Sequence, residues 1–123
     1  MEILEIKDLE TLAKKRVPKM FFDYVNSGSW TEKTYNENVS DFQKIKFRQR
    51  VAIDMSNRTL ETKMINQPVS MPVAIAPTGL TGMQRADGEI LAAQAAEEFG
   101  IPYTLSTMSV CSIEAVAEKT KKP

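Results

Sequence analysis

The chain has 123 residues, 42% hydrophobic and 26% charged, a globular composition that excludes a disordered or collagen-like polypeptide. Sixteen basic residues balance sixteen acidic ones, so the net charge is zero and the basic footprint of a nucleic-acid binder is missing. Apolar runs fall far short of the ~18 residues of a membrane span, no secretory leader is expected from the first residues, and one cysteine, Cys111, cannot build a disulfide framework.

The chain opens with short helices. Asp8 is placed to cap a turn through Leu9, Leu12 and Ala13. Val17-Pro18 interrupts it, and Pro18 suits the first position of a second helix. That helix carries Phe21, Phe22, Tyr24 and Val25, with Gly28 as its stop. Thr31 is placed to cap a third, anchored by Tyr35 and Phe42. Over residues 44–50 apolar and basic residues alternate, which predicts a half-exposed strand. Residues 60–65 and 69–71 flank Asn66-Gln67-Pro68, the pattern of a hairpin.

Residues 72–76 form an apolar run without alternation, which predicts a strand buried on both faces of a parallel sheet. Pro77, Gly79 and Gly82 end it, and Asp87 is placed to cap a helix over residues 88–99. Leu91, Ala92, Ala95 and Phe99 make the expected buried stripe of that helix, with Glu89, Glu97 and Glu98 off it. Gly100 ends the helix, residues 103–105 read as the next strand, and residues 106–111 read as a polar loop. Ser112 is placed to cap a last helix through Val116 and Lys119.

The two strand starts, Val73 and Tyr103, lie 30 residues apart, the length of one βα repeat. A closed eightfold βα barrel takes ~250 residues. The expected fold is therefore α/β, the N-terminal part of a (β/α)8 TIM barrel. Residues 1–71 would be a helical lead-in and short β-hairpin, and residues 72–123 the first two βα repeats of a larger protein.

Histidine is absent, which removes the commonest general base near neutral pH and any His-based zinc site. Three places remain that can carry chemistry. Pro77-Thr78-Gly79 follows a buried strand, where ligands sit in α/β folds, although a plain βα turn has the same pattern. Ser106 ends the next strand, as a rim hydroxyl or simply a turn residue. Tyr24 offers a phenol donor for a carboxylate, or is a core aromatic with its hydroxyl at the surface. Cys111, among small residues and without a histidine, reads as structural and of low reactivity.

Taken in order, Pro18-Lys19-Met20-Phe21-Phe22-Asp23-Tyr24-Val25-Asn26-Ser27-Gly28, Arg48-Gln49-Arg50, residues 70–79, Gly88-Glu89 and residues 100–111 resemble the FMN-dependent 2-hydroxy acid dehydrogenase/oxidase family. Residues 105–111 and Met55-Ser56-Asn57 are most similar to its bacterial, quinone-linked L-lactate dehydrogenase branch. The resemblance implies that Tyr24 bonds the substrate carboxylate. It also implies that Pro77, Thr78 and Gly79 lie against the flavin ring of FMN, and that Ser106 meets that ring's polar edge. Gly79 stands where family oxidases often carry alanine and several dehydrogenases glycine, which favours a dehydrogenase. Met108 stands where glycolate oxidases tend to carry tryptophan, which leaves substrate size open.

By the same resemblance, the catalytic histidine, its aspartate, two arginines, a lysine and the phosphate site lie in sequence beyond residue 123. No catalytic residue is assigned among these 123, and the chain alone is expected to be inactive. The full-length parent is expected to oxidise a small L-2-hydroxy acid, L-lactate to pyruvate, as a homo-oligomer passing electrons to a quinone. It would be cytoplasmic or peripheral on the inner membrane. The alternatives are a truncated remnant acting only by association, or a different FMN barrel enzyme; the Tyr24 region speaks against the latter.

Overall fold

A computed structural model describes residues 2–121, which fall into two compact units that divide between Asn57 and Arg58. The first unit is helical: α1 (Ile6–Arg16), α2 (Lys19–Val25), α3 (Lys33–Ser40) and a 3-10 turn, Asp41–Lys44.

Helix starts in this unit differ from the sequence expectation. Asp8 sits one turn inside α1, where its carboxylate accepts from the Leu4 amide at 2.9 Å and the Glu5 amide at 3.1 Å. These two amides hold the Asp8 carboxyl below the ordinary carboxylate range. The N-cap is Glu5, so the device is a reciprocal capping box. Pro18 occupies the N-cap of α2 and its carbonyl accepts from the Phe22 amide. That helix ends at Asn26, before Gly28. Glu32, not Thr31, precedes α3, and its side chain reaches back to the Gly28 amide at 2.9 Å. Residues 45–50 form no strand, and Phe47 is 98% exposed. Alternation alone forms no ladder when no neighbouring strand pairs with it.

The second unit is mixed. β1 (Thr62–Met64) and β2 (Gln67–Val69) pair antiparallel in the register Thr62↔Val69. Their connection is the two-residue turn Ile65-Asn66, both at positive φ (50° and 62°) as a tight hairpin with the twist of its strands demands. Pro68 therefore lies in the strand rather than in the turn; on a two-stranded ribbon its missing N–H faces an open edge.

α4 (Thr81–Gln84) is a single turn, not anticipated from the sequence. α5 (Gly88–Phe99) has the predicted bounds. Gly100 ends it at φ 70°, and Ile101 donates to the Ala96 carbonyl at 3.0 Å, the closing bond of a Schellman motif. α6 (Ile113–Lys119) is capped by Ser112, whose Oγ accepts from the Ala115 amide at 3.1 Å.

Two expectations for α5 fail. Asp87 stands at its N-cap in the left-handed region and its side chain caps nothing. The buried face is Glu89, Ala93 and Ala96, not the predicted stripe: Leu91 and Phe99 are exposed, and Ala95 with them. Small alanines let α5 approach α6 closely, so the face with least side-chain bulk turns inward.

The predicted strands at residues 72–76 and 103–105 meet at one parallel bridge, Ile75↔Tyr103. Ile75 donates to the Pro102 carbonyl at 2.9 Å, and Thr104 donates to the Ile75 carbonyl at 3.1 Å. Burial on both faces is not observed: Val73 is 50% exposed, and Ala74 and Ala76 are exposed. Among the described residues nothing packs on those faces, so the apolar run has the composition of an interior strand without its cover. A hollow of about 490 Å³ is lined by Val69, Ala96, Tyr103, Leu105 and Val116, among others; Thr78, Gly79 and Ser106 do not line it.

Candidate functional site

Beyond the Ile75–Tyr103 bridge the chain turns twice, once through residues 76–80 into α4 and once through residues 106–112 into α6. The turns are tied to each other: Leu80 donates to the Met108 carbonyl at 2.9 Å. A β-carbon on Gly79 would lie 3.3 Å from the Met108 Cβ and 3.9 Å from the Ser106 Oγ, so the first loop lies directly on the second.

The structure thus brings Gly79 and Ser106 together on one rim, with Thr78 next to Gly79. Pro77 and Thr78 are exposed and Gly79 and Ser106 half-buried. Ser106 Oγ accepts from the Met108 amide at 3.1 Å, which leaves its hydrogen free to donate outward. Thr78 Oγ1 donates only a long bond, 3.4 Å, to the Ala76 carbonyl. Among the described residues the Thr78 and Gly79 amides have no hydrogen-bond partner. Two open amides and one hydroxyl donor on a glycine-flattened surface fit the acceptor-rich edge of a planar ligand. Tyr24 belongs to the first unit, on α2, where it is 61% exposed.

The residue that sequence reasoning missed is Glu89. It was expected on the outer face of α5; it is instead fully buried, with 0% relative exposure. Its Oε1 accepts from the Gly82 amide at 2.9 Å and from the Val110 amide at 3.0 Å. Oε2 is buried without a well-formed hydrogen bond, and the Cys111 thiol lies beside the carboxyl. Burial pushes the Glu89 pKa up, but the Val110 and Gly82 amides, its own amide and the Cys111 thiol together outweigh burial and hold it below its ordinary value. Burial, reinforced by the Glu89 charge, raises the pKa of both Tyr103 and Cys111. The raised Cys111 thiol matches the expectation of low reactivity. A signal for Glu89 was present in the sequence: it shares a helix face with Ala93 and Ala96, four and seven positions on, and a face of small residues is one that packs.

Among the described residues no cluster of acidic and cysteine side chains is arranged to hold a metal ion. No helix among them is long and apolar enough to cross a membrane.

Two segments joined by a parallel bridge, each followed by a helix, define a mixed α/β unit with open polar groups beyond the bridge. The chain belongs to the FMN-dependent dehydrogenase family, whose model matches residues 13–123. It is 48% identical over 123 residues to an L-lactate dehydrogenase of Acinetobacter baylyi, covering all of this chain and 32% of the relative. It is 47% identical over 116 residues to an L-lactate dehydrogenase of Stenotrophomonas maltophilia, covering 94% of this chain and 31% of that one. Among solved structures it superposes on a monotopic membrane protein, (S)-mandelate dehydrogenase, with a TM-score of 0.92 at 36% identity, over 98% of this chain and 32% of that chain. A soluble mutant of the membrane-associated (S)-mandelate dehydrogenase from Pseudomonas putida gives a TM-score of 0.91 at 37% identity, over 98% of this chain and 34% of that one. The chain spans about a third of the length of the curated relatives it matches.

Proposed function

We propose that these residues are the amino-terminal part of an FMN-dependent (β/α)8-barrel enzyme that oxidises a small L-2-hydroxy acid, with L-lactate, giving pyruvate, as the substrate. Membership of the FMN-dependent dehydrogenase family and the two L-lactate dehydrogenase relatives support the reading. The observation that carries it to residues is the rim, where the open Thr78 and Gly79 amides lie beside the Ser106 hydroxyl.

In this reading Pro77, Thr78 and Gly79 form one wall of the flavin pocket, and Ser106 donates to the polar edge of the isoalloxazine. Tyr24 donates to the substrate carboxylate. FMN, when bound, takes up the two electrons released as the alcohol becomes a ketone. In this family reading a histidine takes the substrate's hydroxyl or alpha proton, and these 123 residues contain none. A quinone as final acceptor, a peripheral membrane location and a homo-oligomeric parent complete the proposal.

The test is purification of the full-length protein carrying this sequence. Bound FMN by absorbance, and L-lactate-dependent reduction of an artificial acceptor faster than that with mandelate or glycolate, are expected. A colourless protein, or one that turns over only an aromatic hydroxy acid, would remove the lactate reading. The 123-residue chain by itself is expected to bind FMN weakly and to show no turnover.

A further inference from the structure

The rim depends on two loops keeping their spacing, and one buried group touches both. Glu89 lies on the second residue of α5, an element that contributes nothing to the rim surface itself. Its Oε1 accepts at once from Gly82, in the first turn of α4 into which the first loop runs, and from Val110, inside the second loop. A single oxygen with two donors fixes the distance between those donors, because neither amide can move without lengthening its bond. The loops also pack so closely there that a β-carbon on Gly82 would fall 2.6 Å from the Val110 Cβ. An ionised carboxyl is a stronger acceptor than a neutral carbonyl, and in a buried site its loss would leave two amides without partners.

We propose that Glu89 is the positioning residue of the flavin rim, setting the separation between the loop that carries Thr78 and Gly79 and the loop that carries Ser106. The role of the rim rests on the proposed FMN reading; the brace itself does not. Glu89 touches neither substrate nor cofactor in this scheme and acts only through the two loops.

The experiment compares Glu89→Ala and Glu89→Gln in the full-length protein. Hydrogen exchange at the Gly82 and Val110 amides reports the brace, and FMN affinity, kcat and KM report its consequence. In Glu89→Ala the two amides should exchange about tenfold faster or more, FMN should bind about tenfold more weakly, and kcat should fall by a similar factor, with KM moving less than about threefold. Glu89→Gln retains an oxygen acceptor and should restore protection and most of kcat. Unchanged exchange and kcat in Glu89→Ala would overturn the proposal. So would a Glu89→Gln protein that keeps both amides protected yet loses kcat as fully as Glu89→Ala. Loss of a cooperative melt in both variants would also overturn it, since Glu89 would then be a global stability residue. If the wild-type protein binds no FMN, the functional reading falls while the exchange data still decide whether Glu89 spaces the loops.

Discussion

Gly82 and Val110 meet at a distance only a missing side chain permits: a β-carbon on Gly82 would lie 2.6 Å from the Val110 Cβ and 3.0 Å from the Glu89 Oε2. Gly82→Ala must therefore displace the second loop or the buried carboxylate. Overpacking of this kind costs about 1–3 kcal/mol. Urea titration followed by circular dichroism should show a lower midpoint with an unchanged slope. Val110→Gly in the same chain removes the opposing carbon and should recover part of the loss, a coupling expected only of residues in contact.

At the far end of the second loop, Ser112 caps α6, its Oγ accepting from the Ala115 amide. The bond satisfies one of the first amides of α6, a seven-residue helix with little margin to lose one. Ser112→Ala should cost about 1 kcal/mol, and Ser112→Asp, which keeps an acceptor, should cost much less. Thermal melts of the three proteins check the order.

These two sites differ in how readily they could be read. The Ser112 cap, the bounds of α5 and its Gly100 stop were visible because each is a local signal written in adjacent residues. The hairpin was visible as well, though its turn fell one residue early, because Pro68 drew the reading toward itself when Ile65 and Asn66 take the left-handed conformations. What stayed hidden depends on packing between distant segments. The strand predicted over residues 44–50 had no partner, and α5 turned its alanines inward because close approach outweighs the size of Leu91 and Phe99. Of the candidate site, the places of Gly79 and Ser106 after the two bridged segments were legible, but position alone reads as readily as plain turns, and only the family resemblance singled them out. Glu89 carried only a faint signal, its face of small residues, because a charge on a helix is ordinarily solvated and its amide donors come from segments distant in sequence.

The buried carboxylate also sets a pH dependence. Glu89 has a folded pKa below its ordinary value of 4.5, so the unfolded chain binds more protons than the folded one in that range. Its contribution is fully present above pH 4.5 and is lost as pH falls through the lower, folded pKa. Tyr103 and Cys111, the titratable groups facing it, are shifted upward and stay neutral there, while Asp87 contributes charge near Cys111. Unfolding midpoints measured between about pH 6 and about pH 3 should fall more steeply for the wild type than for Glu89→Gln, which lacks the titrating group. Equal slopes would place the acid sensitivity elsewhere.

Tyr24 separates binding from folding. It is 61% exposed on α2, and among the described residues its hydroxyl has no hydrogen-bond partner, so the phenol oxygen does nothing for the helix that carries it. Tyr24→Phe should shift stability by no more than about 0.5 kcal/mol. If the hydroxyl donates to a substrate carboxylate, its loss removes a bond to a charged group, worth about 1.5–3 kcal/mol, and KM for L-lactate in the full-length enzyme should rise at least about tenfold. Because the carboxylate is held equally in the bound substrate and at the reaction's summit, kcat should move less than KM. Steady-state kinetics with an artificial acceptor, run beside a thermal melt, tests both halves. A wild-type KM in a fully folded Tyr24→Phe protein would mean that the carboxylate is bound by other groups.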